Sequence, residues 1–263
     1  MTNKKSHVIV ISNEKGGVGK SSISMHLSVK LLQEGFSVAT LDFDGAQASL
    51  TKYIENRKTF CDLRSIDLPM PTHFKFAPKE QKDAHIAEIS FLVEELSKKF
   101  DAIIIDTPGG RNYLFDLAHS FADTLITPIS DSLIDLSSLA DIDYLTGKIK
   151  SAGHYASFVW DVKKEKAKRG ENYLNWIVVG NKISSYNSNN KKKVFALLEK
   201  VSKQYGFRYL EGMKDRTIYK ELFLQGLTVL DFSNSTLKQK MSVSHLAAKR
   251  EVRAIAEFIC PEE

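Results

Sequence analysis

Asn13-Glu14-Lys15-Gly16-Gly17-Val18-Gly19-Lys20-Ser21-Ser22 is the stretch from which the rest of the chain can be organised. It follows a continuous β-branched run, His7-Val8-Ile9-Val10-Ile11-Ser12, the pattern of a strand buried on both faces. It precedes a helical pattern with Ile23, Leu27 and Leu31 on one face, stopped by Gly35. Strand, glycine loop and helix in that order form an anion cradle. Gly16, Gly17 and Gly19 let backbone N–H groups turn inward, and the helix beginning near Ser21 aims its free N–H groups at the same point. Lys20 is placed for β/γ-phosphates and the Ser21 hydroxyl for Mg²⁺. Val18 and Ser22 complete the loop that would wrap the phosphate chain. The usual loop, G-x-x-x-x-G-K-[ST], has glycine where this chain has Glu14, and a second lysine, Lys15, follows. Two cations in one short loop point to charge that builds in a transition state, with Lys15 answering it in the manner of an arginine finger. If Lys15 reaches a phosphate on another copy, ATP joins two protomers face to face.

Moving outward, strands and helices alternate. Ser37–Asp42 and Asp101–Asp106 read as strands, as do Leu125–Pro128 and Trp176–Val179, each of these last two followed by helical pattern. Residues 84–99 carry Ile86, Ile89, Val93 and Leu96 on one stripe, and Ala248, Val252, Ile255 and Ile259 line a last helix. The expectation is an α/β fold, a mainly parallel twisted sheet with helices on both faces. No Pro/Gly/Ser linker divides the chain, so residues 1–263 are expected to form a single domain. The stretches 57–81 and 161–173 read as insertions at the sheet edge.

The composition is that of a globular chain: 43% of the 263 residues are apolar and 26% charged. That excludes disorder, collagen and low complexity. No window of 18 uncharged apolar residues exists, so no membrane-spanning helix is expected, and the N-terminus lacks an apolar signal core. Two isolated cysteines, with no CxxC, fit a reduced cytoplasmic compartment.

Two carboxylate stations follow the loop. Asp42-Phe43-Asp44 ends the second strand, where open α/β sheets bind ligands, and period 2 sends both aspartates off the same side. Asp42 suits an outer-shell Mg²⁺ partner and Asp44 a water-positioning role. Asp106-Thr107-Pro108-Gly109-Gly110 follows four apolar strand residues. Asp106 would hold Mg²⁺ through water, and Gly109-Gly110 would sense a γ-phosphate.

Lys15-Gly16-Gly17-x-Gly19-Lys20-Ser21 resembles the deviant Walker A motif of the ParA/MinD family of P-loop ATPases. The resemblance implies that Lys15 acts in trans across a nucleotide-sandwich homodimer, that Asp42 and Asp44 are switch I, and that Asp106–Gly110 is Walker B and switch II. Gly45-Ala46-Gln47 departs from the Pro-Gln with which partition ATPases commonly continue. Asn181, after Ile177-Val178-Val179-Gly180, resembles the family's base-reading asparagine. Tyr53–Arg57, Thr127–Ser132, Asn175–Val178 and Asp215–Phe223 are similar to the branch that places the bacterial division plane, and the similarity runs from about residue 7 to 232. It implies ATP and Mg²⁺ as cofactors, a monomer–dimer cycle, recruitment by a ParB-like protein, nonspecific DNA binding by the dimer, and inhibition of FtsZ assembly. It also implies a cytoplasmic, nucleoid-associated location.

The charge distribution bears on the DNA expectation. Residues 160–220 carry 15 Lys plus Arg against 6 Asp plus Glu, while both flanks are slightly acidic. Residues 188–204 read as a helix with Val194, Leu197, Leu198 and Val201 inside. Lys192, Lys193, Lys200 and Lys203 then share roughly a 100° arc on the other side, with Lys191 beside them. Such a face suits phosphates rather than base edges; it would equally serve as a plain solvated surface. Rival classes are a ParA-type partition motor, a MinD-like membrane cycle (disfavoured by the acidic end Pro261-Glu262-Glu263), an iron–sulfur carrier (which needs paired cysteines), a metabolic ligase of the same fold, and an ATP-binding scaffold without turnover.

Overall fold

The computed structural model describes residues 6–143, 145–184, 189–233 and 242–259, without the side chains of 189–191 and 233. A seven-stranded sheet, parallel throughout, runs β3-β2-β4-β1-β5-β8-β9. Its strands are β1 (His7–Ile11), β2 (Val38–Asp42), β3 (Thr72–Lys75), β4 (Ala102–Asp106), β5 (Thr124–Ile129), β8 (Asn175–Gly180) and β9 (Arg208–Leu210). The helices are α1 (Lys20–Gln33), α2 (Ser49–Arg64), α3 (Lys82–Ser97), α4 (Tyr113–Phe121), α5 (Leu133–Ser137), α6 (His154–Lys168), α7 (Asn189–Tyr205), α8 (Thr217–Gln225) and α9 (Val243–Ile259).

The sheet divides the core into two layers because its side chains alternate. Val8 and Val10 of β1, with Ile103 and Ile105 of β4, pack on the side of α3, α4, α6 and α7. Ile9, Ile11 and Ile104 face α1, α2, α8 and α9. The expected inner face of α7 is buried as read, and so is the α9 stripe. On α3 the buried face includes His85 along with Ile89, Val93 and Leu96, while Ile86 is only half-buried.

Three regions differ from expectation. The helical pattern after β5 is a five-residue α5 followed by an antiparallel hairpin of β6 (Ala140–Asp143) and β7 (Lys148–Ala152). Residues 57–64 finish α2, and 72–75 form the edge strand β3 rather than an insertion. Residues 161–168 are the second half of α6. Two of its lysines are not surface charges: Lys163 and Lys166 are buried, and Lys163 Nζ donates to Gly206 O at 2.9 Å beside the Trp176 ring. A long aliphatic stem lets lysine cover apolar surface while its head reaches a carbonyl. Among the described residues no helix is long and apolar enough to cross a membrane.

Candidate active site

The strand order explains why distant parts of the chain meet. β4 lies between β2 and β1, with Asp42 in register with Asp106 and Asp106 with Ile11. The three carboxyl ends are therefore neighbours, and Ser21, just after the loop leaving β1, reaches Asp106. Parallel sheets bind ligands at this edge.

The loop itself is tightly fitted. Gly19 has a φ of 87°, and a Cβ there would collide with Asn181 Nδ2, so glycine is required twice over. A Cβ on Gly109 would sit 2.9 Å from Gly16 Cα, which brings the loop after β4 against the loop after β1. Lys20 is buried, and its Nζ donates to the carbonyls of Asn13 and Lys15, both at 3.1 Å. Burial draws its pKa down, with Asp106 and Asp44 opposing.

Ser21 Oγ donates to Asp106 Oδ2 at 2.6 Å, and Ser24 Oγ to Oδ1 at 3.2 Å. Burial, with the neighbouring Asp42 carboxylate adding to it, pushes Asp106 up to about 7. Asp42 is fully buried and held from α2: its Oδ2 accepts from Thr51 N–H at 3.0 Å and Thr51 Oγ1 at 2.8 Å. Asp44 differs. Its carboxylate takes one long bond, from Gln47 N–H at 3.4 Å, and lines an open cleft of about 870 Å³ with Lys20, Ser21, Gly109 and Arg111. The two aspartates thus do not share a side as expected: Asp42 turns into the protein, and only Asp44 lines the cleft.

Asn181 is buried, and its Nδ2 donates to Val18 O at 2.6 Å. It lines a second, more apolar pocket of about 380 Å³, walled by Tyr53, Met213 and Tyr219. Gly19, Ser22, Lys182 and Phe223 line both. Lys15 points elsewhere. Its Nζ donates to Asp135 Oδ1 at 2.5 Å, and that carboxylate also accepts from Ser130 N–H and Oγ. Burial opposes ionisation of Asp135, yet its Lys15 and Ser130 hydrogen bonds hold it below the usual carboxylate range.

Lys192, Lys193, Lys200 and Lys203 are exposed on α7 as expected, although Lys203 is paired with Glu199 at 3.0 Å. Lys191 lies outside the described side chains, and Pro261–Glu263 outside the described residues. Sequence reasoning missed Asp135, Thr51 and Lys182. A hydroxyl one turn into the helix after a D-x-D pair was a usable signal for Thr51; nothing local marked Asp135 as the partner of Lys15.

The family model described as ATPase MipZ matches residues 7–259. Septum site-determining protein MinD of Helicobacter pylori is 29% identical over 180 residues, 62% of this chain and 62% of that protein. A cytosolic Fe-S cluster assembly factor, the Nubp2 homolog of Drosophila sechellia, is 43% identical over 132 residues, 43% of this chain and 50% of that protein. The chain therefore spans less than two thirds of the length of these curated relatives. Among solved structures, an ATP complex of McdA from Cyanothece has the same fold, with a TM-score of 0.64 at 17% identity over 99% of this chain and 98% of that one.

Proposed function

Because this chain belongs to the ATPase MipZ family, we propose that it is a slow ATPase working as a dimerisation switch that positions the division plane. In this reading the ATP-bound dimer binds DNA nonspecifically, is recruited by a ParB-like protein and inhibits FtsZ assembly. The observation that carries it is the convergence of Lys20, Ser21 and Asp44 on one cleft, with Asp106 directly behind and Gly109 against Gly16.

Lys20 is pre-aimed at the loop, so exchanging two carbonyl acceptors for phosphate oxygens requires little movement. Gly16, Gly17, Val18, Gly19, Ser21 and Ser22 supply N–H groups and a helix N-terminus to the same anion. Asp44, the aspartate lining the cleft, orients the attacking water. Asn181, which lines the apolar pocket and donates to the Val18 carbonyl, reads the base in this account. Lys15 must leave Asp135 to serve a phosphate of a second copy.

The donors fit Mg²⁺. Ser21 and Asp106 offer hard oxygens, with Asp42 behind them as an outer partner, and no group of three or more His, Cys, Asp or Glu side chains placed to hold a metal occurs among the described residues. Mg²⁺ is usually held by one or two carboxylates plus substrate phosphates and water, not by an all-protein cage. When bound it would neutralise phosphate charge and hold Asp106 ionised.

The test is sedimentation of FtsZ polymer with GTP, adding this protein with ATP, alongside Asp44→Ala. Loss of polymer that requires ATP and strengthens in the variant supports division-plane positioning. An unchanged pellet, with ATP-dependent DNA binding intact, moves the assignment to a ParA-type partition ATPase.

A further inference from the structure

One carboxylate outside the apolar pocket holds much of the pocket's wall. Glu251, on α9, accepts from Arg216 Nη2 at 2.6 Å and Nε at 3.4 Å. It also accepts from the Lys214 N–H at 3.2 Å and the Tyr219 hydroxyl at 3.4 Å. Arg216, Lys214 and Tyr219 all line the pocket, and Glu251 does not. The Arg216 and Glu251 side chains are each only 15% exposed, so their pair is poorly screened. Arg216 directly precedes α8 yet makes no side-chain cap to it; its Nη1 instead reaches Ser244 Oγ of α9 at 3.0 Å.

α9 does not need this tie to stay docked. Ala248, Val252, Ile255 and Ile259 already bury its apolar stripe against the α1 side of the sheet. Glu251 adds a polar connection directed at the pocket wall alone. Burial, with the Glu251 charge next, pushes the Tyr219 phenol upward, so its hydroxyl stays a neutral donor.

We propose that Glu251 is a positioning residue for the nucleotide base: it fixes the 214–219 wall and couples ATP affinity to the docking of α9. The inference rests on the nucleotide reading above. A wall ordered in advance spares the ligand the cost of ordering it. Coupling is reciprocal, so a bound base holds α9 down as firmly as α9 holds the base.

The experiment is titration of ATP and of inorganic tripolyphosphate, each with Mg²⁺, into the wild type, Glu251→Ala and Glu251→Gln. Tripolyphosphate engages the phosphate loop without reaching the 214–219 wall, which lines the apolar pocket alone. The expected result is a roughly tenfold loss of ATP affinity in Glu251→Ala, with tripolyphosphate affinity changed less than about twofold. Glu251→Gln keeps the shape and loses the charge, so it retains part of the preference; should the alanine variant not fold, the same selective loss in Glu251→Gln carries the test. Equal losses for both ligands, or unchanged ATP affinity in a folded variant, overturn the proposal. A wild type that binds neither ligand overturns the nucleotide reading itself.

Discussion

Lys15 and Asp135 show how a single residue can be chemically ready and yet held away from the cleft. Lys15 is half-exposed while Asp135 is 1% exposed, so solvent screens one side of the pair. Replacing Lys15 with alanine should therefore cost stability by about 1 kcal/mol or less. On the proposed role, Lys15→Ala binds ATP but neither dimerises nor hydrolyses it; normal turnover in a folded variant contradicts a trans-acting lysine. Two buried histidines carry a different prediction. Burial lowers both His26 and His119 to about 4, while in the unfolded chain each titrates near 6.5. Between those values the unfolded state binds the extra proton, so each neutral histidine stabilises the fold at pH 7 and loses that contribution as pH falls through 6.5 toward 4. Asp106, raised to about 7, works in the opposite sense, so the cleaner quantity is a difference between two chains. The stability gap between the wild type and His119→Gln should narrow by about 2 kcal/mol from pH 7 to pH 5, by urea denaturation. A constant gap would mean that His119 is not held neutral by burial.

At the scale of elements, α2 joins the Asp44 loop to the apolar pocket. Arg57 and Asp231 are both essentially unexposed and pair through two hydrogen bonds, at 2.7 and 2.8 Å. Arg57 also donates to Gly226 O, and Tyr53 to Leu227 O. Arg57→Met leaves a buried carboxylate without its counter-charge and should cost about 3–5 kcal/mol by chemical denaturation; a loss below about 1 kcal/mol would contradict a fully desolvated pair. α7 carries the polyanion prediction. Charge reversal at Lys192 and Lys193, both exposed, should abolish ATP-dependent DNA retention in an electrophoretic shift assay while ATPase activity persists. Unaltered retention would move the DNA face elsewhere. These elements also show what the sequence made legible. β1, β2, β4, β5 and β8 were readable because parallel strands buried on both faces leave continuous apolar runs. The edge strands β3 and β9 have half-exposed patterns, and the β6–β7 hairpin has only short ones, so no run marked them. The phosphate loop was legible because its motif is local. Asp135 and Glu251 were not, since their partners are set by strand order and helix docking.

For the whole molecule, the two layers of core on opposite faces of one sheet lead us to expect a single cooperative unfolding transition, readable by calorimetry. The basic block of residues 160–220 is less concentrated on the surface than its count suggests, because Lys163 and Lys166 are buried. DNA binding would then depend on doubling the α7 face in a dimer, an avidity effect that makes nucleotide the switch. In the proposed function, ATP joins two copies of this chain. Light scattering on Asp44→Ala, with ATP and Mg²⁺, tests it most directly. The expected mass rises from the 29.6 kDa of one chain to twice that value, and returns to the monomer with ADP. A mass that stays at 29.6 kDa under saturating ATP would contradict it.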